Sequence, residues 1–244
     1  MKVYHGTSES VARAAMTEGL KTRDELGIKS HWDQCPSRGD LVYLTQAYAG
    51  YFGFAASEPG GKIGILEIDL DLLDADLVLP DEDFIEQGTR GHDDQWQDHI
   101  IRESLRGLDM AQRTEFFRDN LTMFSGLWEM SLEGLGNCAY MGSIPPEAIT
   151  RICIYDPKKN GVITGMLLDP CISLMNYRFC GSKYRALCRW LIGDQVNAGD
   201  LLMTPGIDCR IEGSDPHGMM QQWVKQLEDL QVDLDQGAGR DLIQ

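Results

Sequence analysis

VYHGTSES, residues 3–10, is the stretch on which the reading of the chain turns. Residues 2–5, KVYH, have the β-branched and aromatic character of a short strand. Gly6-Thr7-Ser8 supplies turn and N-cap chemistry, so a helix is expected to follow. Val11, Ala14, Ala15 and Met16 give that helix part of an apolar face, and Gly19 suits the position just past its end. A His-Gly-Thr at a strand end offers a ring nitrogen, an unobstructed main chain and a hydroxyl to one cleft. Such a set suits a polar, amide-bearing ligand.

Working outward, residues 21–40 lack a clear period and read as a surface loop, a candidate lid. LVYLT, residues 41–45, reads as a strand running into a helix on which Tyr48, Tyr51, Phe52 and Ala55 recur at helical spacing. Tyr48 and Phe52 are assigned to the core, whereas Tyr51 fits either a core or a cleft. Residues 62–70 read as a strong strand. The acidic stretch 69–83 lacks the mid-loop glycine and closing glutamate of a calcium loop and is taken as solvated loop. Helices are expected over 96–119 and 121–135, then strands at CAYMG and RICIYD flanking a turn at Pro145-Pro146. Beyond 157 the texture changes to short segments, with helices over 182–192 and from Pro216 to about Leu230. Strands without βαβ alternation point to an α+β fold. The expected division is a first domain over 1–156 and a C-terminal extension of mixed helix and loop over 157–244.

The 244 residues suffice for a sizeable core, and 43% hydrophobic with 25% charged residues is ordinary for a globular chain. No apolar run of the ~18 residues that a membrane span needs is present, and the N-terminus has no apolar signal region, so a cytoplasmic protein is expected. Seven cysteines, none spaced C-x-x-C, fit reduced, buried thiols better than disulfides or zinc. His92, Asp93, Asp94 and His99 fit no standard metal spacing, and no metal is expected. A net charge of −16 disfavours general nucleic-acid binding but leaves room for a local basic site.

The order of these motifs, H-G-T with its helix, then V-Y-L-T before Y-x-x-Y-F, resembles the ADP-ribosyltransferases of the poly-ADP-ribosyl and diphtheria-toxin type. Residues 140–149, YMGSIPPEAI, resemble a motif of bacterial toxins of this fold. The resemblance spans roughly residues 2–156 and implies a split antiparallel β-sandwich with flanking helices, to which the segment after 156 adds a helical C-terminal extension. It further implies that NAD is the substrate, with His5 on the adenosine ribose, the Gly6 main chain on the nicotinamide carboxamide and Thr7 supporting that pocket. Tyr43 and Tyr51 match the two tyrosines of the nicotinamide wall. The family's glutamate opens the fifth strand, where this chain has Asn137-Cys138 instead. The nearest carboxylates are Glu133 and Glu129 on the preceding helix, with Glu133 the expected catalytic carboxylate, stabilising the ribosyl cation, beside His5 and Tyr43.

Residues 171–193 hold Arg178, Lys183, Arg185 and Arg189, no acid, and interleaved aromatics. That combination suits an acceptor site for RNA or single-stranded DNA, or alternatively a solvated helix face. The expected activity is transfer of ADP-ribose to a macromolecule, nucleic acid ahead of protein, by a toxin of a toxin–antitoxin or phage-defence system with an antitoxin or other inhibitory partner. The alternatives are an NAD-dependent RNA 2′-phosphotransferase, which Tyr43 in place of a second histidine disfavours, and a non-catalytic NAD-binding or nucleotide-binding regulatory module.

Overall fold

A computed structural model describes residues 1–30, 37–202 and 215–243. Its strands are β1 (Lys2–Ser8), β2 (Leu41–Thr45), β3 (Ile63–Asp69), β4 (Val78–Pro80), β5 (Asn137–Met141), β6 (Ile149–Tyr155) and β7 (Arg240–Ile243). They form one sheet in the order β4-β5-β2-β1-β3-β6-β7, and neighbouring strands pair antiparallel throughout. The helices are α1 (Glu9–Glu18), α2 (Arg23–Leu26), α3 (Ala49–Ala55), α4 (Glu82–Thr89), α5 (His99–Leu105), α6 (Met110–Asp119), α7 (Trp128–Gly134), α8 (Gly161–Leu168), α9 (Leu174–Leu191) and α10 (Pro216–Asp235). The fold is α+β. No helix among the described residues is long and apolar enough to cross a membrane.

Side-chain alternation along the strands divides the core. Val3, Leu66, Ile68, Ile152 and Ile154 share a face with Val42 and Leu44, and this continuous layer packs against Ala12 and Ala15 of α1. The opposite face carries two clusters. One gathers Tyr4, Ile63, Ile65 and Tyr155 under α3, α8, α9 and α10. The other gathers Leu41, Leu79 and Ala139 under α4, α5 and α6. The gap between them follows the β1–β2 line.

Ser8 caps α1, its hydroxyl accepting from the Val11 N–H at 3.4 Å, and Gly19 ends that helix at φ 76°. Gly6 and Thr7 stay within β1 instead of forming a turn. The reason for glycine at position 6 is packing: a Cβ there would collide with the Ala49 carbonyl and lie 2.6 Å from the Gly53 nitrogen of α3. The helix expected over 96–119 is two, because Gly107 at φ 78° interrupts it and Asp109 restarts it with a capping box to Gln112. Residues 69–83 are not merely a solvated loop, since they contain β4 and run directly into α4.

No division of the core falls at 156. Tyr177, Tyr184, Leu187 and Trp190 of α9 share one cluster with Tyr4, Ile63 and Tyr155, and β7 pairs with β6 at the sheet edge. The segment after 156 thus adds a strand as well as helices. Cys138, Cys153 and Cys188 are buried free thiols, whereas Cys171 is exposed; Cys35 and Cys209 lie outside the described residues.

Candidate functional site

β1 pairs with β3 from Lys2 to Ser8, yet it meets β2 at the single register pair Tyr4↔Thr45. Past that point the strands part, and a cavity of about 820 Å³ opens between them. His5, Gly6 and Thr7 of β1 line it, with Tyr43 of β2 and Tyr51 of α3. Three elements therefore bring these five residues to one place.

His5 bridges the opening, its Nδ1 lying 2.9 Å from the Tyr43 carbonyl. A carbonyl only accepts, so Nδ1 carries the proton, and Nε2 of the neutral ring is left as an acceptor. Burial lowers the His5 pKa and favours that neutral form. Tyr48 is in the core as expected, while Tyr51 faces the cavity with Phe52 edge-on at 5.7 Å. Phe52 both packs on the core and lines the cavity.

The β4–α4 junction contributes Asp81, Glu82 and Asp83 to the same cavity, three residues that spacing alone does not single out. A three-residue strand carries too little alternation to be read, and an acidic run looks solvated. Asp81 caps α4, its carboxylate accepting from the Asp83 N–H at 2.9 Å, and its own N–H donates to Ser131 Oγ at 3.0 Å. The Tyr43 hydroxyl donates to Glu82 Oε1 at 3.0 Å, with Oε2 at 3.2 Å, and accepts from the Arg38 N–H at 3.3 Å. Burial pushes the Glu82 pKa up to about 7, against the lowering effect of Tyr43 and Arg118. Asp81 is raised well above its ordinary value by burial and by the adjacent Glu82 and Asp83. Tyr43 is raised by burial and by the Glu82 charge.

Asn137 stands at the head of β5 and also lines the cavity. Its side chain helps hold the Asp81 pKa down, and its Oδ1 is buried with no partner. Lys21 and Arg23 bring positive charge to the lining from the segment at α2; the Arg23 guanidinium also donates to the Ser37 carbonyl at 2.5 Å and hydroxyl at 3.0 Å. Part of the proposed lid, residues 31–36, lies outside the described residues.

Glu133 and Glu129 are exposed on α7 and do not line the cavity. On α9, Arg178, Arg185 and Arg189 are exposed and Lys183 is half-buried. Arg185 donates to the Tyr177 hydroxyl at 2.9 Å, and Arg189 pairs with Asp194 at 3.2 Å. The interleaved aromatics are mostly unavailable for stacking, since Tyr177, Tyr184 and Trp190 are buried; Phe179 is 74% exposed. The cations thus share their face with a single large exposed ring.

No family model matches the sequence, and no curated protein matches it.

Proposed function

We propose that the cavity binds NAD+ and that the chain is an ADP-ribosyltransferase releasing nicotinamide and passing ADP-ribose to a macromolecule. The observation that carries this reading is the convergence of His5, Tyr43 and Tyr51 in one cavity where β1 and β2 part. The lining holds lysine and arginine together with carboxylates. NAD+ has the complementary make-up, an anionic diphosphate joined to a cationic nicotinamide, and an aromatic wall suits that cationic ring. About 820 Å³ falls in the range of small-molecule sites. The His5 Nε2 acceptor suits a ribose hydroxyl.

Arg178, Lys183 and Phe179 favour a single-stranded nucleic acid as acceptor, though with less stacking surface than the sequence promised. A toxin held in check by an inhibitory protein is the setting this activity implies. Asparagine at the head of β5, in place of the acid that the resemblance implies, favours a second reading, a non-catalytic NAD-binding module.

The test is incubation of the full chain with adenylate-labelled NAD+ and separate pools of RNA, single-stranded DNA and protein. Label fixed to one pool, lost in His5→Ala, is the expected result. Binding of NAD+ without nicotinamide release or label transfer selects the module, and absence of NAD+ binding overturns both readings.

A further inference from the structure

Resting on the NAD+ reading, we infer that Glu82 is the catalytic base of this cavity, reached through the Tyr43 hydroxyl, and that Asn137 Oδ1 accepts a hydroxyl of the bound ligand. The carboxylate thus comes from the β4–α4 junction instead of the fifth strand.

Register places these groups side by side. Tyr43 pairs with Ala139, which pairs with Leu79, while Thr45 pairs with Asn137 and Pro80 with Cys138. Asp81 and Glu82 therefore emerge beside the first residue of β5, and Tyr43 stands on the same face of the sheet. Glu82 is 7% exposed, lines the cavity and takes the Tyr43 hydrogen bond.

A cluster of acids alone names no ligand. The orphaned Asn137 Oδ1 does, because a buried carbonyl oxygen without a donor is unfavourable until one arrives. Asn137 is 4% exposed, its Oδ1 has no partner, and it lines the same cavity. What is missing there is a donor, and a sugar hydroxyl is one.

In the step itself the bond between the ribose C1′ and the nicotinamide nitrogen breaks, and its electron pair leaves with neutral nicotinamide. A lone pair of the acceptor, or of water when no acceptor is present, forms the new bond to C1′. The acceptor's proton passes to the Tyr43 oxygen as the Tyr43 proton passes to Glu82. Glu82 is then a carboxylic acid and returns its proton to solvent. A buried carboxylate titrating near neutrality suits a base at that task. The charged and titratable groups facing it are Tyr43 on β2, Arg118 on α6, Asp81 and Asp83 on its own segment, Arg38 through its N–H to Tyr43, and His5 across the cavity.

The experiment follows nicotinamide release from NAD+ with water as the only acceptor, alongside NAD+ affinity, for wild type, Glu82→Gln and Tyr43→Phe. Expected for Glu82→Gln is a loss of about 100-fold or more in rate, as general-base removal gives, with affinity changed less than threefold. The wild-type rate should rise with pH across about 7, a limb that Glu82→Gln lacks. Tyr43→Phe, which removes the hydroxyl that links the acceptor to Glu82, should lose the limb as well and fall in rate by a similar factor. If Glu82→Gln fails to fold, the wild-type and Tyr43→Phe limbs still decide. A Glu82→Gln rate within threefold of wild type, or a limb that Tyr43→Phe retains, overturns the relay while leaving the NAD+ reading intact. A wild type that binds no NAD+ overturns both.

Discussion

Glu82 is a carboxylate kept where ionisation is costly. In the unfolded chain it titrates near 4.5, and in the folded chain near 7. Between those values the folded protein holds a proton that the unfolded chain has lost, so stability falls as pH rises through this window and is fully restored below it. The full effect, reached above pH 7, is about 3 kcal/mol. Glu82→Gln should therefore melt higher than wild type at pH 8, with a gap that closes toward pH 5; melting curves across that range check it, and a gap independent of pH contradicts it. His5, whose pKa burial lowers, pulls the other way below its ordinary 6.5, because the unfolded chain takes up a proton the folded ring refuses. That contribution is common to both proteins at each pH and cancels in the comparison.

The contact of β1 with α3 is set by Gly6, whose added methyl would run into the Ala49 carbonyl. Gly6→Ala should cost about 3 kcal/mol or more in denaturant unfolding, since neither backbone segment can yield as a side chain does; a loss under 1 kcal/mol would contradict this packing. Strands with enough alternation to show their period were legible in the sequence. LVYLT is β2 residue for residue, and KIGILEIDL contains β3. His5, Thr7, Tyr43 and Tyr51 were legible as well, because each lies on such an element or one turn beyond it. The β4–α4 junction was not. Val78–Pro80 is three residues long, and whether Asp81 and Glu82 are solvated or buried depends on Ser131 and Asn137 some fifty residues later in the chain. Nor does spacing within 121–135 tell that Glu133 faces solvent, because α7 begins only at Trp128, after a stretch of tighter 3-10 helix that shifts its faces.

The sheet and the C-terminal segment stand or fall together. Trp190, 1% exposed, donates from Nε1 to the Leu234 carbonyl at 3.0 Å, and the Arg240 guanidinium lies 4.3 Å from the centre of its ring. Ending the chain at 156 would strip α8, α9 and α10 from the cluster that holds Tyr4, Tyr48 and Tyr155, and β7 from the sheet edge beside β6. Residues 1–156 alone should then lack a cooperative thermal transition and bind a hydrophobic dye; a sharp transition near that of the full chain would contradict the shared core. The same core fixes α3, and with it Tyr51, against β1, so the cavity depends on both parts of the chain. The claim that this cavity is an NAD+ site is tested most directly by calorimetric titration of NAD+ into the full chain, His5→Ala and Tyr51→Ala. The account predicts saturable binding to wild type, weakened tenfold or more in each variant with melting temperatures preserved; no saturable binding to wild type, or equal affinity in all three, would contradict it.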